Sequence, residues 1–179
     1  MSVKEFSFFL YPKMSDASVK RALKARSDEY EKLVKSPRVK TIKAALPDVE
    51  VLHASTVVGN NVYLVFYKKQ CKVEVSFETL NNNDSKKMLK LFGRKGIVPH
   101  AMTHSDFRGL GYVSFFYKLV LKKYVLVTDS HTKSAIALWD NLSKKPGIQS
   151  YWIDPYQMRV LTKPTRDALR VLSTVPLKA

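Results

Sequence analysis

A single cysteine, Cys71, stands in 179 residues. One thiol excludes an internal disulfide and leaves no cysteine cluster for a zinc site. Long apolar runs are missing as well. The longest, VYLVFY at 62–67, falls far short of the roughly 20 residues that cross a bilayer, so no membrane partner is expected. The first residues lack a secretory pattern, because Lys4 and Glu5 precede FSFFLYP and no small-residue cleavage site follows. The expected location is cytoplasmic. Acidic side chains are few: 15 Asp and Glu against 31 Lys and Arg give a net charge of +16 and a pI near 9.9. A field of that sign attracts polyanions such as nucleic acid, an acidic protein or a multiply phosphorylated cofactor. The basic residues are spread through nearly every segment, so a merely solubilising surface is the competing reading.

What is present suits a folded domain. An apolar fraction of 45% and a charged fraction of 26% are ordinary for one, and the length predicts a single domain over 1–179 with a real core. EFSFFLYP (5–12) reads as a strand. From Ser15 or Asp16 as N-cap, Val19, Ala22, Leu23, Tyr30, Leu33 and Val34 form a helical stripe. SPRVKTIKAALPD predicts a second helix, capped by Ser36 with Pro37 at its first position, facing inward through Val39, Ile42 and Leu46 and stopped by Pro47. VEVLHASTVV, NVYLVFYKKQ and KVEVSFETL then predict an antiparallel meander with turns at 59–61 and 81–84. In the last of these strands Val73, Val75 and Phe77 alternate with Glu74, Ser76 and Glu78, one face buried and the other polar. A short basic helix ends at Gly93 or Gly96. A strand IVPHAMTH, a helix from about Tyr112 to Lys123, a strand YVLVTD, a helix HTKSAIALWDNLSKK, a strand IQSYWID and a last helix near Thr162–Pro164 complete the reading. The order implies a mixed α/β sheet with helices on both faces.

The stretch HSDFRGLGYVSFFYKLVL (104–121) places Arg108-Gly109-Leu110-Gly111 between a strand and an amphipathic helix. Such a turn gathers main-chain N–H groups and the positive end of a helix dipole around one small concavity, which suits a pyrophosphate. Glycine admits φ > 0 and a close anion, and Arg108 adds a charged donor. A third glycine at dinucleotide-fold spacing is missing, and so is the Gly-Lys-Ser/Thr of a P-loop. A tight β-to-α turn with a surface arginine is the plainer alternative.

This stretch resembles motif A of the GNAT acyltransferase superfamily, in which a strand runs into Gln/Arg-x-x-Gly-x-Gly/Ala and a helix. The match falls on Arg108, Gly109, Leu110, Gly111, Tyr112 and Val113. TDSHTKSAIALWDNL is similar to that superfamily's motif B, and the two together span about 97–145. The LW-x-x-L ending is similar to GNAT-like proteins of tailed phages. The resemblance implies a GNAT-like fold, with a central, largely antiparallel sheet splayed where the strand before the glycine turn meets YVLVTD (the family's fourth and fifth strands). It implies acetyl-CoA as cofactor, with its pyrophosphate on the amides from Arg108 to Val113 and its pantetheine along Met102, Thr103 and His104. It also implies direct attack of an amine on the thioester: an N-acetyltransferase whose acceptor is not specified.

Two positions depart from the family pattern. Val113 stands where glycine or alanine is usual, and Trp139 where a tyrosine often serves as general acid; at its helical spacing Trp139 also reads as core. For the base, His100 and His104 lie on the strand entering the turn, and histidine titrates near neutrality. Glu74 and Glu78, on one strand face, are the next candidates. His53 and His131 lack a second ligand at metal spacing, so no metal is expected. Cys71 reads as a small buried hydrophobe. Tyr112, Phe115, Phe116 and Leu119 read as the core face of their helix. Two other readings remain open: a nucleic-acid-binding or virion-associated protein on a GNAT scaffold without catalysis, and a nucleobase-modifying enzyme of GNAT-like fold.

Overall fold

In the computed structural model the described residues are 14–43, 48–55, 60–128, 133–157, 159–165 and 167–178. The strand expected at 5–12, Pro47 and His131 lie outside them. The elements run α1 Asp16–Asp28, α2 Tyr30–Lys35, β1 Val39–Lys43, β2 Val49–Ser55, β3 Asn61–Tyr67, β4 Gln70–Thr79, α3 Asn82–Phe92, β5 Gly96–Thr103, α4 Tyr112–Leu121, β6 Val125–Thr128, α5 Lys133–Ser143, β7 Gln149–Ile153, β8 Val160–Leu161 and β9 Leu169–Ser173. This is a mixed α/β chain with mostly antiparallel strands. Two compact units are resolved. One holds Met14–Thr79 and Pro99–Leu119, the other Leu80–Val98 and Val120–Ala179, so β5 gives its second half to the first and its first half to the second.

In the first unit the meander β1-β2-β3-β4 carries a helix on each face. Ser15 caps α1 by accepting from the Ser18 amide. Val19 and Leu23 of α1, with Tyr30 of α2, bury against Leu52, Leu64, Phe66 and Cys71. Ser27 is used twice: its hydroxyl donates to Leu23 O and accepts from the Cys71 amide at 2.8 Å. Glu74 points to the same side, so the expected polar face of β4 is instead covered by α1. Its carboxylate is buried and takes Arg26 Nε at 2.9 Å and Nη2 at 3.3 Å. The opposite face is aromatic: Tyr63 stacks on Phe116 at 4.7 Å, and Phe77 meets Tyr117 edge-on at 5.7 Å. The inward face of α4 is therefore set by Phe116 and Tyr117, while Phe115 is exposed, against expectation.

The helix expected over 36–47 is a strand. Val39↔Ala54 through Lys43↔Glu50 pair antiparallel with β2. Ser36 ends α2 and opens a turn, its amide donating to Leu33 O and its carbonyl accepting from Val39. The β-branched Val39, Thr41 and Ile42 suit a sheet edge, and long-range pairing outweighs a local cap signal. The hairpin turn Lys68-Lys69 has φ of 49° and 63°, a two-residue left-handed turn without the usual Asn or Gly.

In the second unit, β6 pairs parallel with β5 at Gly96↔Val125 and Ile97↔Leu126, and the ladder stops there although both strands continue. Gly96 is needed for packing: a Cβ would lie 2.5 Å from Leu80 Cδ1 and 2.8 Å from Met88 Cγ. The last expected helix is absent among the described residues. Leu169–Ser173 forms β9 instead, and β9 inserts between β6 and β7, antiparallel to both. Both faces of these strands are covered. Val125, Val127, Ile153, Leu169 and Val171 pack with Met88 and Phe92 of α3. The alternate residues face the other way, where Trp139 and Leu142 of α5 are buried. As expected, α3 ends at Gly93 in the left-handed conformation, φ 67°.

Candidate functional site

The glycine turn lies within the first unit. β5 ends at Thr103, and His104 opens a single 3-10 turn, Ser105–Phe107. Arg108-Gly109-Leu110-Gly111 follows, leading into α4. Both glycines are left-handed, Gly109 at φ 79° and Gly111 at φ 85°, a conformation that costs any other residue about 1–2 kcal/mol. Neither is forced by crowding, since an added Cβ at either would meet no heavy atom within 4 Å. The turn thus combines costly backbone geometry with open space, and Gly109, Leu110 and Gly111 are all exposed. Gly111 O accepts the first helical hydrogen bond, from Phe115 at 2.9 Å. The amides of Tyr112, Val113 and Ser114 precede any available helical carbonyl. The amide of Arg108, expected to face a phosphate, donates instead to Ser105 O at 3.2 Å. An aromatic row steadies the turn from outside: Tyr67 and Phe107 lie 6.0 Å apart, as do Phe107 and Tyr112.

The Arg108 guanidinium meets Asp16, in the first turn of α1, at 2.6 Å. The side chains of both are more than half exposed. Along β5 the His104 amide donates to Lys72 O of β4 at 2.8 Å. Alternation of peptide direction then puts Met102 on the same side and turns Thr103 toward the opposite edge. Of the three main-chain positions expected to meet a pantetheine, Thr103 is the one directed away from β4. The Met102 side chain packs on the α1-side core.

Two of the four expected acid–base residues come together. His100 on β5 and Glu78 on β4 approach to 3.7 Å, Nε2 to Oε2, with His100 largely buried and Glu78 half-exposed. His104 turns elsewhere: its Nδ1 accepts from the Asp106 amide at 3.4 Å and lies 3.3 Å from the Asp106 carboxylate. Glu74 is held by Arg26, whose pKa is raised chiefly by that hydrogen bond. Burial pushes the Cys71 thiol up to about 12, and its Sγ lies 3.6 Å from Val73 O. It is a buried hydrophobe, as expected, rather than a nucleophile. His53 stacks on Tyr63 at 4.5 Å and bonds Asn61 Oδ1 at 2.9 Å. Among the described residues no metal-holding cluster exists and no helix is long and apolar enough to cross a membrane.

Sequence reasoning missed the side chains around Trp139. Trp139 is 2% exposed, and with Asp140, Trp152, Arg170 and Thr128 it lines a hollow in the second unit. Four elements supply these residues, and no local motif marks them.

No protein-family model matches the chain. No curated protein matches it either. Among solved structures it is similar to one described as a "putative phosphinothricin N-acetyltransferase", at 14% identity and a TM-score of 0.36, over 66% of this chain and 68% of that one.

Proposed function

We propose that this chain is an acyl-CoA-dependent N-acyltransferase, with acetyl-CoA as donor and an amine on an unidentified acceptor. The observation that carries the reading is the pair of open, left-handed glycines at the start of α4. Their free space and the main-chain donors from Gly109 to Val113 fit a diphosphate. When bound, CoA supplies an activated acyl group as its thioester. Arg108 exchanges Asp16 for phosphate, and that swap costs little because exposed ion pairs contribute on the order of 0–1 kcal/mol. The peptide group of Thr103 pairs with the pantetheine arm, which Met102 and His104 flank.

A lysine-like acceptor amine, with a pKa near 10, must lose a proton before it attacks. His100 takes it, and Glu78, 3.7 Å away, stabilises the imidazolium that results. His104 ranks second because Asp106 engages its ring, and Glu74 last because Arg26 holds it. The acceptor nitrogen would bond to the acyl carbon as the carbon–sulfur bond breaks, sulfur leaving with the electron pair as thiolate and then taking up the second proton that the nitrogen sheds. No acyl group passes through Cys71. Calorimetric titration with acetyl-CoA and with desulfo-CoA tests the reading. Both ligands are expected to bind, and absence of binding at millimolar ligand removes the donor from the scheme.

A second reading, nucleic-acid binding, is favoured by one grouping in the second unit. Arg94 donates to Leu121 O at 2.7 Å, the Val125 amide to Lys95 O at 3.0 Å, and the Lys178 amide to Leu91 O at 2.8 Å. These bonds gather Arg94, Lys95, Lys122, Lys123 and Lys178 at one end of that unit. Retention on DNA that collapses as salt rises supports a phosphate-backbone partner there; retention unchanged in the Lys122→Glu, Lys123→Glu double variant places that partner elsewhere.

A further inference from the structure

Both tryptophans of the chain, Trp139 and Trp152, line one hollow of about 200 Å³ in the second unit. Its floor is a row across three strands, because Thr128 of β6 pairs with Arg170 of β9, which pairs with Trp152 of β7. Its roof is α5, through Ile136, Trp139 and Asp140. The walls are mainly apolar. The exception is a charge pair: Arg170 Nη1 lies 2.7 Å from Asp140 Oδ1, with Arg170 only 11% exposed and Asp140 49%. Arg170 is fixed twice more, with its guanidinium 5.5 Å over the Trp152 ring and Nε donating to Ser150 Oγ at 3.1 Å. Among the described residues these contacts leave Nη2 of Arg170 and Oδ2 of Asp140 as a donor and an acceptor of opposite charge on residues of the lining.

Among the described residues the lining holds one positive and one negative side chain, Arg170 and Asp140, in a chain of net charge +16, so a polyanion would meet the Asp140 carboxylate there. A ligand of a single charge would use only one of the two remaining atoms of the pair, whereas a zwitterion uses both. The size lies below the range of about 300–1,000 Å³ that drug-sized ligands fill, which points to a small metabolite. We propose that the hollow binds a free α-amino acid with an apolar side chain. Its carboxylate meets Arg170, its ammonium meets Asp140, and its side chain lies against Trp139, Trp152 and Ile136. The binding claim stands apart from acyl transfer and from the glycine turn.

With two tryptophans in the chain, the two indole N–H resonances report on the hollow directly. Titration of the full chain with L-leucine should move both saturably. L-leucinamide, which lacks the carboxylate, and 4-methylpentanoate, which lacks the ammonium, should each bind at least about tenfold more weakly, the cost of a lost charged hydrogen bond. Asp140→Asn should weaken L-leucine by a similar factor without weakening 4-methylpentanoate, whose carboxylate then meets an Arg170 no longer neutralised by Asp140. Arg170 is too buried for a clean deletion, so the companion variant is Ala135→Leu, which fills the hollow from a half-buried position and should abolish the shifts while the thermal transition persists. The proposal is overturned if neither indole responds to L-leucine or L-phenylalanine at tens of millimolar, or if the two truncated analogues bind as well as L-leucine.

Discussion

The glycine turn and the tryptophan hollow draw on opposite parts of the polypeptide. The turn is made of main chain: two left-handed glycines, a helix start and amides with no side chain in front of them. The hollow is made of side chains from β6, α5, β7 and β9, and its geometry depends on Arg170 being held by Asp140, Ser150 and Trp152. A main-chain site tolerates changes in its neighbours' side chains but not in its own backbone geometry. A side-chain site behaves the other way round.

Substitutions can break this contrast, and the largest expected effect is on binding. Arg108→Glu with Gly111→Val should eliminate CoA binding, because a carboxylate and a branched side chain replace the charged donor and the open glycine. Gly111→Val forces a branched residue into φ 85°, at about 1–2 kcal/mol, so calorimetry should find no heat of binding while circular dichroism reports a folded chain. CoA binding that survives in this variant refutes the cradle. Next comes a glycine of the other kind. Gly96→Ala should cost about 1–3 kcal/mol by urea denaturation, through overpacking against Leu80 and Met88. Gly109→Ala should cost less, about 1 kcal/mol, since only its φ objects. Equal costs at 96 and 109 would mean that crowding at Gly96 and backbone conformation at Gly109 do not separate the two glycines.

A further test is a pH dependence. Tyr30 is pushed up to about 12 from 10.0, first by its hydrogen bond to Glu50 at 2.7 Å, and Cys71 to about 12 from 9.0 by burial. Both groups are neutral in the fold and ionise more readily once it opens. Their contribution is complete below the ordinary values and is lost as pH rises from about 9 through about 12. Denaturation midpoints should therefore decline over that window, and less steeply in the Tyr30→Phe, Cys71→Ala variant.

The contrast between the two sites also explains what could be read in advance. The turn was legible because Arg108-Gly109-Leu110-Gly111 is contiguous and lies between a strand and a helix. Periodicity likewise located α1, the meander β2 to β4, α3, β5, α4, β6, α5 and β7. β1 was misread because Ser36-Pro37 imitates a helix start, and only pairing with β2, remote in sequence, overrides that signal. β9 was misread in the same way, its partners being β6 and β7 on either side. The hollow was hidden for that reason: Thr128, Arg170 and Trp152 become neighbours only once β9 inserts between its partners. The His100–Glu78 pair lay within reach, since both were candidates, but their approach depends on strand register.

The most direct test of the central claim follows backbone amide resonances while CoA is added to the intact chain. The account predicts that the largest shifts fall on Gly109, Leu110, Gly111, Tyr112 and Val113, with Thr103 beside them. Saturating shifts confined to other residues, or none at millimolar CoA, would contradict it.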